Sequence, residues 1–209
     1  MQQFRPAYYY TRNLNRILKN TSEEQFFKIH EGIEYYISVY QKGKKEFDGI
    51  SAAASFQDAI QEIIDTESEK NGHGKIKCGK GCSFCCHYHV DITDDEAELL
   101  VEFSKEIKIQ IDKQYLEKQK DKNVDTWEEL KYSERRCVFL DADGSCKVYE
   151  HRPVSCRTLQ VITDPKLCST EFNSQDVGAL SILDVDVMAT GIINATQMDS
   201  MSKLLFERL

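Results

Sequence analysis

The sequence predicts a mainly α fold: a helical domain with an irregular cysteine-rich metal core and a short β-hairpin. Three observations predict it. Apolar residues recur at three- and four-residue steps in four separate segments. Two Thr-x-x-Glu capping-box patterns stand at the start of such segments. All eight cysteines lie between Cys78 and Cys168, which leaves the first 77 residues without a thiol. A single domain is expected over 1–209, with N-terminal helices over 1–72, a cysteine-cluster core with an inserted helix over 73–170, and a C-terminal helix over 171–209.

Each element has its own signal. Tyr8, Tyr9 and Tyr10 form an aromatic packing arm. Thr21 with Glu24 opens a helix on which Phe26, Ile29, Ile33, Tyr36, Ile37 and Tyr40 share one face, ending near Gly43. A second helix over 49–69 turns Ala53, Phe56, Ile60, Ile63 and Ile64 inward. Residues 71–74, Asn-Gly-His-Gly, break it. Thr93 with Glu96 opens a helix running to about 119, with Ala97, Leu100, Phe103, Ile107 and Ile111 inward. Residues 120–123 form a turn, and Trp127 starts a short helical piece. Residues 138–140 and 147–149 read as the arms of a hairpin about Asp141–Gly144. Helical spacing returns over 175–208, with Gly191 as a candidate break.

Composition narrows the function. Hydrophobic residues make up 41% and charged residues 30%, as in a globular protein. No apolar run approaches the ~18 residues of a membrane span, and no membrane partner is expected. The first ten residues lack the apolar stretch of a secretory signal. The expected location is the cytoplasm, where thiols stay reduced. Adjacent Cys85 and Cys86 also fit poorly in a disulfide scaffold. The formal net charge of −8 disfavours nucleic acid as a partner, since the only basic concentration is Lys75, Lys77 and Lys80. There is no phosphate-binding glycine loop, dinucleotide fingerprint or Ser/His/Asp order.

The cysteines carry the chemistry. The first block reads C-G-K-G-C-S-F-C-C, placing Cys78, Cys82, Cys85 and Cys86 within nine residues. Its C-x2-C step is a half-site common to zinc ribbons and iron–sulfur loops. Cys137, Cys146, Cys156 and Cys168 follow in a turn-rich stretch, where the hairpin would bring Cys137 and Cys146 together. Lys75, Lys77, Lys80, Arg152 and Arg157 would offset the charge of a metal–thiolate centre. His87 and His89 are weaker ligand candidates than the cysteines. His73 reads as a solvated loop residue and His151 as part of a turn. Asp141 and Asp143 lack the downstream Glu of a calcium loop and read as a turn.

C-x3-C-x2-C-C followed by C-x-F-L…G-x-C-x-V-Y-E-x-R-P-x-x-C-R resembles the YkgJ-type cysteine-cluster family, a zinc- or iron-chelating domain. The resemblance covers 78–168. It implies metal binding through Cys78, Cys82, Cys85, Cys86, Cys137, Cys146, Cys156 and Cys168. A flagellin lysine N-methylase is among the family's relatives, and iron–sulfur binding is attributed to that branch. The expected cofactor is an iron–sulfur cluster of the [4Fe-4S] type or Zn²⁺. Three roles are consistent with it: a metal- or cluster-binding protein, a metal-dependent enzyme of redox or methyl-transfer type, and a zinc-stapled module with a protein partner.

Overall fold

The computed structural model describes residues 8–70, 76–171 and 177–209. The break expected over 71–74, with His73 and Lys75, lies outside the described residues.

Helix α1 (Arg12–Leu18) is capped by Thr11, whose side chain accepts from the Leu14 amide. Tyr8 and Tyr10 pack against the cluster of Leu14, Ile29, Ile33 and Val187, whereas Tyr9 is exposed. Helix α2 (Glu23–Glu46) starts one residue later than its sequence pattern suggests. Ser22 and Gln25 form the capping box, while the Thr21 hydroxyl donates back to the Ile17 carbonyl. The helix also passes Gly43 and runs one turn further. Helix α3 (Gly49–Lys70) agrees with expectation, burying Ala53, Ile60 and Ile64.

The cysteine-bearing loop then leads into strand β1 (Asp91–Thr93) and helix α4 (Asp94–Glu106). The long helix expected to 119 is two helices. The chain turns at Lys108, whose φ of 58° is left-handed, and Asp112 caps a new helix α5 (Lys113–Gln119). Ile107, expected inward, is exposed as a result. The run Ile107-Lys108-Ile109 reads as helical in sequence, and only the bend reveals the break.

The second cysteine block contains helix α6 (Val154–Arg157) and strand β2 (Gln160–Val161), which pairs antiparallel with β3 (Ala179–Leu180). Helix α7 (Leu183–Ala195), strand β4 (Met198–Ser200) and helix α8 (Met201–Arg208) complete the chain. Strand β4 pairs antiparallel with β1, setting Ile92 opposite Asp199. The C-terminal break therefore falls at 196–197 and not at Gly191. Gly191 lies inside α7, where a Cβ would stand 2.5 Å from Tyr36 Cβ and 3.2 Å from the Ile33 carbonyl of α2. It permits close helix contact and does not end a helix. Among the described residues, no helix is long and apolar enough to cross a membrane.

Two buried carboxylates on α4 join these parts. Asp95 accepts from Tyr40 (3.0 Å) and Lys44 (2.7 and 2.9 Å) of α2. Glu96 is 1% exposed. Its Oε2 accepts from the Thr93 amide (3.0 Å) and hydroxyl (3.2 Å). Its Oε1 accepts from Gln57 of α3 (3.2 Å) and from the Val154 amide of α6 (2.7 Å).

Three variants test these contacts. Gly191→Ala should lower stability by about 1–3 kcal/mol through overpacking, measured by urea denaturation. Glu96→Ala strands buried donors at Gln57 and Val154 and should cost about 2–4 kcal/mol. Tyr35→Ala, on an exposed side chain of α2, should change little by the same measurement.

Candidate metal centre

Glycine and short turns shape the first block. Gly81 has a φ of 91°, a left-handed conformation that glycine adopts without penalty, and the Cys82 amide donates to the Gly79 carbonyl (3.0 Å). Residues Phe84–His87 form a 3₁₀ turn. Successive residues of such a turn start about 120° apart, at three residues per turn, yet the Cys85 and Cys86 thiols still share a hydrogen bond.

The second block closes onto the first. Its hairpin forms with Leu140 and Cys146 as an antiparallel bridge, with arms too short to be strands. Asp141 and Asp143 hold the turn. Asp143 Oδ1 accepts from the Ser145 amide and hydroxyl, and these bonds lower its pKa. Gly144, at φ 84°, comes so near the first block that a Cβ would lie 3.3 Å from the Gly81 carbonyl. The Cys137 amide donates to the Cys86 carbonyl at 2.7 Å, a direct backbone link between blocks. Cys78 is fixed from the far side, its Sγ accepting from the Val161 amide of β2 at 3.2 Å. Cys156 rides on α6, whose first amide is held by Glu96.

The outcome is one cavity of about 80 Å³ lined by Cys78, Cys82, Cys85, Cys86, Cys137, Cys146 and Cys156. Cys168 does not line it. It is buried in the Pro165–Cys168 turn, whose last carbonyl accepts from Tyr88 Oη at 2.6 Å. Cys85 is the hub. It acts electrostatically on Cys78, Cys82 and Cys168 and also on Cys137, Cys146 and Cys156. Cys82 also acts on Cys78, both act on Cys168, and Cys146 acts on Cys137 and Cys156.

Burial holds these thiols in the neutral form. It raises the pKa of Cys78, Cys82 and Cys146 and pushes Cys137 and Cys156 up strongly. Cys168 is pushed up to about 11 for the same reason. Cys85 rises well above the usual thiol range, first through its bond with Cys86 and then through burial. Among the described residues, no three His, Cys, Asp or Glu side chains stand close enough around one point to hold an ion.

Two arginines of the second block lie near this space, and of the two only Arg152 lines it. Arg157 is 3% exposed, and its hydrogen bonds go to the Arg152 and Glu150 carbonyls and to Gln61 Oε1, all neutral acceptors. Soft donors, low exposure and neighbouring guanidinium charge all fit a metal–thiolate centre, which carries negative charge.

The histidines stand apart from the cavity. His87 stacks on Tyr132 at 4.2 Å with Nδ1 buried and unpartnered. The His89 Nδ1 is 3.7 Å from Asp91, and its ring meets Trp127 edge-on. His151 packs against Phe103. Two wall residues gave no sequence signal. The Trp127 indole donates to the His87 carbonyl at 2.8 Å. Gln119 bonds the Glu134 and Arg136 carbonyls and Ser202. A pocket of about 350 Å³ adjoins the cavity and shares Cys85, Tyr88, Val90, Cys156 and Leu159 with it.

Residues 77–178 match the model of the CxxCxxCC family, described as "Putative zinc- or iron-chelating domain". The match spans just under half of the chain. It encloses all eight cysteines, in agreement with the resemblance carried by the two motif blocks. No curated protein and no solved structure matches the chain. The CxxCxxCC segment accounts for the hairpin, α4 to α6 and the cavity, whereas α1 to α3, α7 and α8 lie outside it and pack around it.

Proposed function

We propose that the CxxCxxCC segment holds an iron–sulfur centre through the cysteines of both blocks. The observation that carries this reading is the convergence of seven cysteine side chains on one buried cavity. A water molecule needs roughly 10–15 Å³ of such space, so about 80 Å³ suits a multi-atom cluster better than a bare ion in a closed tetrahedron. The ligands are Cys78, Cys82, Cys85, Cys86, Cys137, Cys146, Cys156 and Cys168, in two four-thiol sets. Cys78, Cys82 and Cys168 form one set with a member of the Cys85–Cys86 pair. Cys137, Cys146 and Cys156 form the other with its neighbour. Thiolates bind iron at the expense of their protons, and the bond energy draws the sulfurs inward.

A second reading, an enzyme of redox or methyl-transfer type acting at this centre, is favoured by the adjoining 350 Å³ pocket. Cys85 and Cys156 line both spaces, so a small molecule in the pocket would lie beside the centre. A centre with a purely structural task has no use for such access.

Protein purified without oxygen should be brown, absorb near ~400 nm, and contain iron and acid-labile sulfide in equal amounts. Colourless protein with stoichiometric zinc would overturn the iron–sulfur reading. Cys82→Ser should lower metal content and melting temperature together. Cys78→Ser and Cys137→Ser should each remove part of the metal and the double variant nearly all, by elemental analysis. Complete loss in either single variant would mean one centre. Because burial disfavours the thiolate form of most of these cysteines, loading the apo protein should release protons, and affinity should weaken as pH falls.

A further inference from the structure

We propose that Arg152 is the charge partner of the centre, donating its Nε–H to a metal-bound sulfur, and that Arg157 serves the scaffold alone. This deepens the metal-centre reading and rests on it. The two arginines lie five residues apart but differ in what they touch. Arg157 spends Nε on the Arg152 carbonyl (3.0 Å), one amino group on Gln61 Oε1 (2.8 Å) and the other on the Glu150 carbonyl (2.6 Å). Its donors are engaged at both edges of the guanidinium, and it closes the turn that delivers α6.

Arg152 is held differently. One amino group donates to the same Gln61 oxygen at 3.1 Å, and the guanidinium lies 4.5 Å over the Tyr149 ring. These contacts fix its plane. Its Nε is buried and has no hydrogen-bond partner among the described residues. The side chain lines the cysteine cavity, and its charge acts on Cys78, Cys85, Cys146 and Cys156, members of both thiol sets. A half-buried guanidinium with a buried, unpartnered Nε–H and no carboxylate partner among the described residues, aimed by a glutamine and a tyrosine, suits an anionic acceptor. Thiolate or sulfide on a metal supplies one at the cavity. Arg152 acts through those sulfurs, as a positioning residue.

The test uses the full chain purified anaerobically with its metal, first analysed for iron, sulfide and zinc. Native protein without metal overturns the metal-centre reading, and this proposal with it, before any variant is made. In metal-bearing protein, Arg152→Gln should release metal to a chelator at least tenfold faster than native, and Arg152→Lys, which keeps the charge, should recover most of the difference. If iron is present, the midpoint potential of Arg152→Gln should move negative, because a nearby positive charge stabilises the reduced centre. Arg157→Lys should lower the melting temperature and leave the potential and the release rate of the folded protein unchanged. Arg152→Met, which keeps an apolar stem against Tyr149, replaces Arg152→Gln if the latter does not fold. Native release rate in either charge-removing variant would overturn the proposal, as would a native potential in iron-bearing protein.

Discussion

The Glu96 carboxylate is the constraint on which the cysteine core depends. It caps the start of α4 through Thr93, reaches back to Gln57 of α3 and fixes the first amide of α6. Three chain segments from outside, between and within the two cysteine blocks thereby share one buried carboxyl group. The four hydrogen bonds it accepts satisfy both of its oxygens away from water. Gln57, itself fully buried, has that carboxylate as its recorded partner. Loss of the interaction would therefore loosen both the helical frame and the position of Cys156.

Around this brace the protein separates covalent spacing from spatial grouping. The first block is compact in sequence, and all four of its thiols line one cavity. The second block is spread over more than thirty residues and closes through the hairpin, the Pro153 turn and α6. Backbone contacts link the two directly, from Cys137 to Cys86 and from Gly144 to Gly81. The organic scaffold brings the sulfurs to one space but leaves them neutral. Guanidinium groups fill the opposite electrostatic role, and they stand without carboxylate partners in the same region.

Much of this was legible in the sequence where a signal is local. The helix faces of α2 and α3, the Thr93–Glu96 cap and the metal-binding segment all follow from residues within one or two turns of each other. The misses have a common cause. Thr21 and Ser22 are both competent caps, and the choice between them depends on the partner at the third helical position. The bend at Lys108 and the packing role of Gly191 depend on what α4 and α7 meet in space. The division of labour between Arg152 and Arg157 was hidden for the same reason, because it turns on Gln61, some ninety residues away.

Trp127 is the only tryptophan of the chain, and it is 7% exposed on the wall of the cysteine cavity. Its indole is tethered to the His87 carbonyl, directly after the Cys85–Cys86 pair. Indole emission, excited selectively beyond the tyrosine band, therefore originates at a single side chain beside the thiols. Changes in what fills the cavity register in that light without any added label, so the fold carries its own optical gauge of the centre.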